Sequence, residues 1–250
     1  MEIRIRAMYF SGTGTTAKVT SAIAYKLWQL MDETEHKTGV SGETDDAVNY
    51  VKAENINFTP KQARSKEYSF CKNDIVVFGT PVIAGRVPNV LLKFLDTLQG
   101  NGAVAIPIVL YGNRNFDDAL IELRNILEKQ GFRAVAAGAF IGEHSFSYKL
   151  AAGRPDNKDM NIVYEFAEKI AVKLIDAISA SEGNPDEMDE KVSSIAHIEV
   201  EGQEPVRPYY KPQDRKGNHI NILKVTPKLD ADKCSKCGIC AEICPMDSIK

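Results

Sequence analysis

No stretch of the 250-residue sequence approaches the roughly 20 consecutive apolar residues that a helix needs to cross a bilayer. The opening Met-Glu-Ile-Arg-Ile-Arg lacks the apolar core of a signal peptide. A cytoplasmic location with no membrane partner is therefore expected. Basic residues are not in excess: the net charge of −3 gives no general attraction for nucleic acid or anionic lipid, and neither is expected as a partner. Cysteine is nearly absent before residue 234, with Cys71 alone. No Ser/His/Asp or paired-carboxylate arrangement argues for hydrolysis, and no catalytic residue is assigned. No internal repeat is visible.

What is present is an alternation of strands and helices. Ile3–Phe10 reads as a strand, followed at once by the polar loop Ser11–Thr16. From Ala17, the residues Val19, Ile23, Leu27 and Leu30 recur at helical intervals to about Met31. Asp32–Glu54 is acidic and polar and reads as a surface insertion; Ile56–Phe58 is a short second strand. Ile75–Gly79 and Ala103–Tyr111 are continuous apolar runs, as in strands buried on both faces, although Pro107 sits awkwardly in the second. Ala134–Ile141 is a fifth strand. Helices are expected over Val90–Leu98, Asp117–Gln130 and Asp159–Ala180. Such alternation predicts an α/β fold, a doubly wound five-stranded parallel sheet within residues 1–180. Residues 181–221, with prolines and glycines among many charges, read as a linker. A cysteine module follows at 222–250.

The loop between the first strand and first helix is built for an anion. Gly12 and Gly14 permit close backbone approach, and Ser11, Thr13, Thr15 and Thr16 offer hydroxyls at a helix N-terminus. No lysine stands where a nucleoside-triphosphate loop needs one. Gly12-x-Gly14-x-x-Ala17 satisfies the loose dinucleotide pattern, but Asp32, at the right distance for the ribose acid, closes a helix rather than a strand. A neutral cage rich in hydroxyls better suits the phosphate of flavin mononucleotide (FMN).

Four of the five cysteines crowd the last seventeen residues as Cys234-x2-Cys237-x2-Cys240-x3-Cys244-Pro245. In a reducing compartment such clusters hold metal rather than form disulfides. The spacing is that of a bacterial-type half-motif for a four-iron, four-sulfur (4Fe-4S) cluster. In two-cluster proteins the fourth cysteine of such a run ligates the other cluster, so Cys234, Cys237 and Cys240 would await a further cysteine and Cys244 three more. The expectation is a partial module, truncated or completed by another protein, in which the metal motif is present but a stable cluster does not close on these residues alone. A zinc site would want two well-separated CxxC hooks. Cys71, before the strand Ile75–Gly79, is expected to be a packing residue.

Ser11–Thr16 resembles the phosphate loop of flavodoxins, and two further segments match that domain in order: GTPVIAGRVPN at Gly79–Asn89 and YGNRNFDDAL at Tyr111–Leu120. With the cysteine run, the whole resembles the family of flavodoxin-domain ferredoxins. The resemblance implies that Thr80, Pro81, Val82, Ile83, Ala84 and Gly85 pass over one face of the flavin ring. Gly112–Phe116, with Gly112, Asn113, Arg114 and Phe116 as its contacts, would cover the other, Phe116 either stacking on the ring or anchoring the loop in the core. Ile83 stands where many relatives carry an aromatic residue, so one face would be aliphatic or more open. His144, after the fifth strand, falls at the same end of the sheet, either relaying a proton or serving as an ordinary loop residue.

These readings lead to an FMN-dependent oxidoreductase that couples a flavin to iron–sulfur one-electron transfer, working with a redox partner protein or a small electron donor or acceptor. The alternatives are a pure flavodoxin-type carrier without its own substrate, an NAD-binding Rossmann enzyme, and a non-redox scaffold.

Overall fold

A computed structural model describes residues 1–37, 48–147, 149–181, 184–220 and 228–249. Its strands are Glu2–Tyr9 (β1), Asn49–Asn57 (β2), Asp74–Pro81 (β3), Val104–Tyr111 (β4), Arg133–Ala134 (β5) and Gly138–Ile141 (β6). Its helices are Thr15–Lys37 (α1), Asn89–Leu95 (α2), Ala119–Lys129 (α3), Asn157–Ser179 (α4), Pro185–Ile195 (α5) and the single turn Ile239–Glu242 (α6). All strand pairings are parallel, in the order β2-β1-β3-β4-β5, with β6 continuing the fifth position beside β4.

The alternation of side chains along each strand feeds two cores. Ile75, Val77, Ile106 and Ile108 face α1, α4 and α5, meeting Val19, Ile23, Leu27, Val163, Ile170 and Leu174. Val76, Phe78, Ala105 and Val109 face α2 and α3, meeting Leu91, Phe94, Leu123 and Leu127. Central strands covered on both sides carry apolar residues through their middles, which is why Ile75–Phe78 of β3 and Val104–Leu110 of β4 read as unbroken runs. Gly79 lets α1 approach closely, since a Cβ there would lie 2.0 Å from Thr20 Oγ1.

Four features differ from the sequence reading. The expected insertion Asp32–Glu54 instead continues α1 to Lys37 and begins β2 at Asn49; residues 38–47 lie outside the described residues. β2 is an edge strand whose exposed side carries Lys52 and Glu54, so charge hides it from a hydrophobic pattern. The fifth strand is split. The carbonyls of Ala103 and Ala105 accept from Arg133 and Val135 N–H, so Pro107, two residues on, faces the same way. Its missing N–H falls where the neighbouring strand is interrupted between β5 and β6. Proline in the sheet interior is thus accommodated by a gap opposite it.

The fourth difference concerns 181–221. Within the expected linker, α5 packs Met188 and Val192 into the core, and Arg133 grips Asp189 with bonds of 2.7 and 3.1 Å. Beyond α5, residues 198–210 lie across α3 as a strap. Arg124 donates to the carbonyl of Ile198 at 2.8 Å, and the side chain of Val200 packs against the second core. Asp118, fully buried at the start of α3, accepts from Gln203 N–H at 2.9 Å, Arg207 N–H at 2.7 Å and the Arg207 guanidinium at 2.9 and 2.5 Å.

The Arg207 guanidinium, aided by the two strap N–H groups and opposed by burial, holds the Asp118 carboxyl well below the usual carboxylate range. A depressed folded-state pKa stabilises the protein above the ordinary value of about 4, and that stabilisation is lost as the pH falls below it. Thermal unfolding midpoints of the unmodified chain and of Asp118→Asn should therefore differ at pH 7 and converge toward pH 2. A constant gap across that range would count against this assignment. No described helix is long and apolar enough to cross a membrane.

Candidate functional site

Four loops leave the carboxyl ends of β1, β3, β4 and β6 and enclose a cavity of about 260 Å³. In an open doubly wound sheet this is where a ligand sits. The first loop contributes Thr13, Thr15 and Thr16; the second, Pro81, Val82, Ile83, Ala84 and Gly85; the third, Tyr111, Gly112, Arg114 and Asn115. The fourth contributes Gly142, Glu143, His144, Ser145 and Phe146.

Glycines close the ring of loops. A Cβ on Gly142 would lie 2.8 Å from Thr15 Cγ2, and one on Gly112 would lie 2.9 Å from His144 Cδ2. Gly85, at φ +78°, would strike Asp117 Oδ2 at 2.3 Å, and its carbonyl accepts from Asp118 N–H at 3.0 Å. Each loop is therefore seated against its neighbour, with backbone approaches that side chains would block.

The first loop carries the donors. Ser11 Oγ accepts from Ala17 N–H at 3.1 Å, and Ser11 N–H donates to Thr59 Oγ1 at 2.8 Å, which fixes where the loop starts. Thr13 and Thr15 hydroxyls lie 3.1 Å apart. The N–H groups of Gly12, Thr13, Gly14, Thr15 and Thr16 find no acceptor among the described residues. A Cβ on Gly12 or Gly14 would meet nothing within 4 Å, so the space beside these donors is open. With no acidic residue in the first turn of α1, the positive end of the helix is not neutralised from within. Such an arrangement, termed the anion cradle, is the kind that suits an anion at a helix start.

Of the residues expected around a cofactor, Thr13, Thr15, Thr16, Pro81, Val82, Ile83, Ala84, Gly85, Gly112 and Arg114 line the cavity together. Ser11 is spent on the helix start. Thr80 is fully buried, and its hydroxyl has no partner among the described residues. Gly12, Gly14 and Asn113 belong to the loops without lining the cavity, and Phe116 turns away from it. The Phe116 ring lies 5.5 Å from Tyr111 and packs against the second core, so of its two expected roles the packing favours the loop anchor.

Sequence reading missed Tyr111, Glu143 and Phe146, while Asn115 lies within the stretch Gly112–Phe116 expected over the ring. The signal was available for Glu143 and Phe146, since they follow a strand at the same end of the sheet. Ile83 is 53% exposed and Phe146 89% exposed, and both line the cavity. His144 Nδ1 accepts from Phe146 N–H at 3.1 Å, which leaves the ring proton of the neutral form on Nε2. Arg86 is held by Glu122 through bonds of 2.7 and 2.6 Å, and Arg114 pairs with Asp117.

Cys234, Cys237 and Cys240 are exposed and Cys244 is partly covered. Gly238, at φ +77°, makes the turn between the second and third cysteines. Among the described residues no group of three or more candidate ligands is gathered for a metal. Hydrogen bonds from Ser248 lower the Cys244 thiol to about 7, and the N–H of Ile239 lowers that of Cys237, so both lean toward the thiolate a metal requires. Cys71 lies elsewhere, against Arg4 at 3.0 Å. Two polar contacts among the described residues join the cysteine segment to the domain: Arg64 donates to Pro245 O, and Lys61 pairs with Asp247 at 3.2 Å. Arg64 also donates to the carbonyls of Phe58 and Thr59, and Thr59 in turn receives Ser11 N–H. The segment thus meets the domain beside the start of the anion cradle.

The family of 4Fe-4S binding domains matches residues 227–250. No curated protein matches the chain. Among solved structures, a flavodoxin from the domain Archaea is similar at 17% identity and TM-score 0.39, covering 69% of this chain and 98% of that one. A flavodoxin of Streptococcus pneumoniae TIGR4 is similar at 14% identity and TM-score 0.41, covering 69% and 99%. An NADH:FMN oxidoreductase in its apo form is similar at 18% identity and TM-score 0.44, covering 68% and 89%. The strand order 2-1-3-4-5, observed directly, is the flavodoxin-like winding. The chain joins a flavodoxin-like α/β domain to a carboxyl-terminal segment of the 4Fe-4S binding type.

Proposed function

We propose that the cavity holds FMN and that the protein passes electrons between this flavin and iron–sulfur chemistry to which Cys234, Cys237, Cys240 and Cys244 contribute ligands, with ligands from elsewhere completing any cluster. The observation that carries the reading is the anion cradle at Gly12–Thr16, with donors that lack acceptors among the described residues and open space beside Gly12 and Gly14. Its N–H groups and the hydroxyls of Thr13 and Thr15 would hold the phosphate. Ile83 and Phe146 would exclude water from the ring, and His144 could present its Nε2 proton to it. The bound flavin supplies the capacity to exchange electrons singly or in pairs, and the protein supplies position and burial. The contact of Arg64 with Pro245 keeps the cysteine segment beside the same loop.

The geometry weighs against the NAD reading. That use of the fold wants an acidic residue at the end of the second strand to hold the ribose, and β2 ends at Asn57, followed by Phe58. Asp32 lies within α1. A carrier without its own substrate would use the same cavity, and turnover with a nicotinamide or a quinone would exclude it.

Anaerobic reconstitution of the chain with FMN, iron and sulfide, followed by an absorption spectrum and cofactor counts, tests the reading. One flavin per chain is expected. About four irons per chain would establish a complete cluster, whereas flavin without iron would mean that ligands from elsewhere are required. Failure to bind FMN at micromolar concentration would sink the proposal.

A further inference from the structure

We propose that the strap at 198–210 is a positioning element for the cavity, fixing two of its four loops through Asp118 and Arg207. An aspartate at a helix start ordinarily caps its own helix. Asp118 makes no such bond. Both of its oxygens are instead engaged by the strap, through Gln203 N–H, Arg207 N–H and the Arg207 guanidinium. A fully buried carboxylate whose described hydrogen bonds all reach more than eighty residues along the chain cannot be satisfied until the strap docks.

Beyond its contacts with α3, the strap reaches the loop after β3. Tyr210 N–H donates to Ala84 O at 2.8 Å, Tyr209 hydroxyl to Val87 O at 2.7 Å, and Arg86 to Arg207 O. The Arg86 guanidinium lies 4.8 Å from the centre of the Tyr209 ring, and that of Arg114 lies 4.9 Å from Tyr210. Ala84 at φ +52° and Gly85 at φ +78° are consecutive left-handed residues, and the alanine holds a conformation that costs it energy. The strap grips the carbonyl of that alanine. Gly202 makes the close passage over α3 possible, since a Cβ there would lie 2.2 Å from Ile121 Cγ2. Ala84, Gly85 and Arg114 line the cavity, so the wall they form is held in place from outside. The strap is also the chain that leads to the cysteine segment.

The test uses the full chain. Hydrogen exchange without added cofactor should be about tenfold faster in peptides covering 82–87 and 112–118 for Arg207→Gln, and unchanged at 11–16. Tyr209→Phe, which deletes one hydrogen bond, should show the same pattern more weakly and serves if the first variant does not fold. Unchanged exchange in both loops would overturn the proposal. The dissociation constant for FMN should also rise about tenfold in Arg207→Gln, a consequence that rests on the flavin reading. If the unmodified chain binds FMN, an equal affinity in the variant with a lowered unfolding temperature would reveal a merely structural strap and overturn the proposal. If the unmodified chain binds no FMN, the flavin reading fails and the exchange pattern alone decides the role of the strap.

Discussion

Thr13→Asp should weaken FMN binding at least about 100-fold while leaving the cofactor-free protein as stable as before. Thr13 is exposed and lines the cavity immediately before α1. A carboxylate there faces a helix end with no acidic residue in its first turn, an interaction worth about 0.3–1 kcal/mol in its favour. The same carboxylate would sit within a few ångströms of a bound phosphate. Two unit charges 4 Å apart repel by about 4 kcal/mol at the effective dielectric near a protein surface, close to three decades in affinity. Thr13→Asn has nearly the same size and no charge, so it should cost less than about tenfold. Titration by flavin fluorescence quenching, paired with unfolding midpoints in the absence of FMN, separates the two effects. An aspartate variant that binds FMN as tightly as the unmodified chain would remove the phosphate from this loop.

The centre of the sheet was legible because its physics is local to each strand. β3 and β4 are covered on both faces, so their middles, Ile75–Phe78 and Val104–Leu110, are unbroken apolar runs that announce themselves. β2 escaped because an edge strand carries charge on its open side, as Lys52 and Glu54 do. The split between β5 and β6 left one trace, the proline at 107, whose meaning depends on a neighbouring strand. α5 has Met188 and Val192 as its buried apolar residues, too few to stand out from a charged stretch. The strap was invisible for a different reason. Its anchors are polar and pair residues as far apart as Asp118 and Arg207, and a periodicity argument weighs near neighbours.

The site was legible to the extent that topology alone places it. Loops leaving β1, β3 and β4 at one end had to converge, and they do. Which side chains face the ligand was less accessible. Phe116 and Tyr111 both sit in the third loop region, and their mutual packing turns one inward and leaves the other on the cavity. Phe146 supplies the exposed aromatic instead, from a loop whose sequence drew notice for His144. The cysteine spacing spoke plainly of chemistry, yet the contact of Arg64 with Pro245, which sets where that chemistry would happen, joins residues 181 positions apart.

Phe58→Ala should be the most damaging single truncation beside the site, lowering stability by about 3–5 kcal/mol. The ring is fully buried, with centroids 5.0 Å from Phe94, 5.3 Å from Phe78 and 6.2 Å from Phe10. Removing it empties the centre of an aromatic group whose members come from four separate segments, so the hole cannot close by moving one of them. For a chain of this size the unfolding midpoint should fall by roughly 6–20 °C. Phe58→Leu keeps most of the volume and should lose less than half as much. The backbone of Phe58 is held independently, by its N–H to Tyr9 O at 3.0 Å and by Arg64 on its carbonyl. Thr59 therefore stays in place to receive Ser11 N–H, and FMN affinity measured well below the lowered midpoint should change less than about threefold. Thr13→Asp and Phe58→Ala thus act oppositely, one on the ligand and one on the fold. A Phe58→Ala protein that unfolds within 2 °C of the unmodified chain would show that this aromatic group does not hold β2 to the sheet.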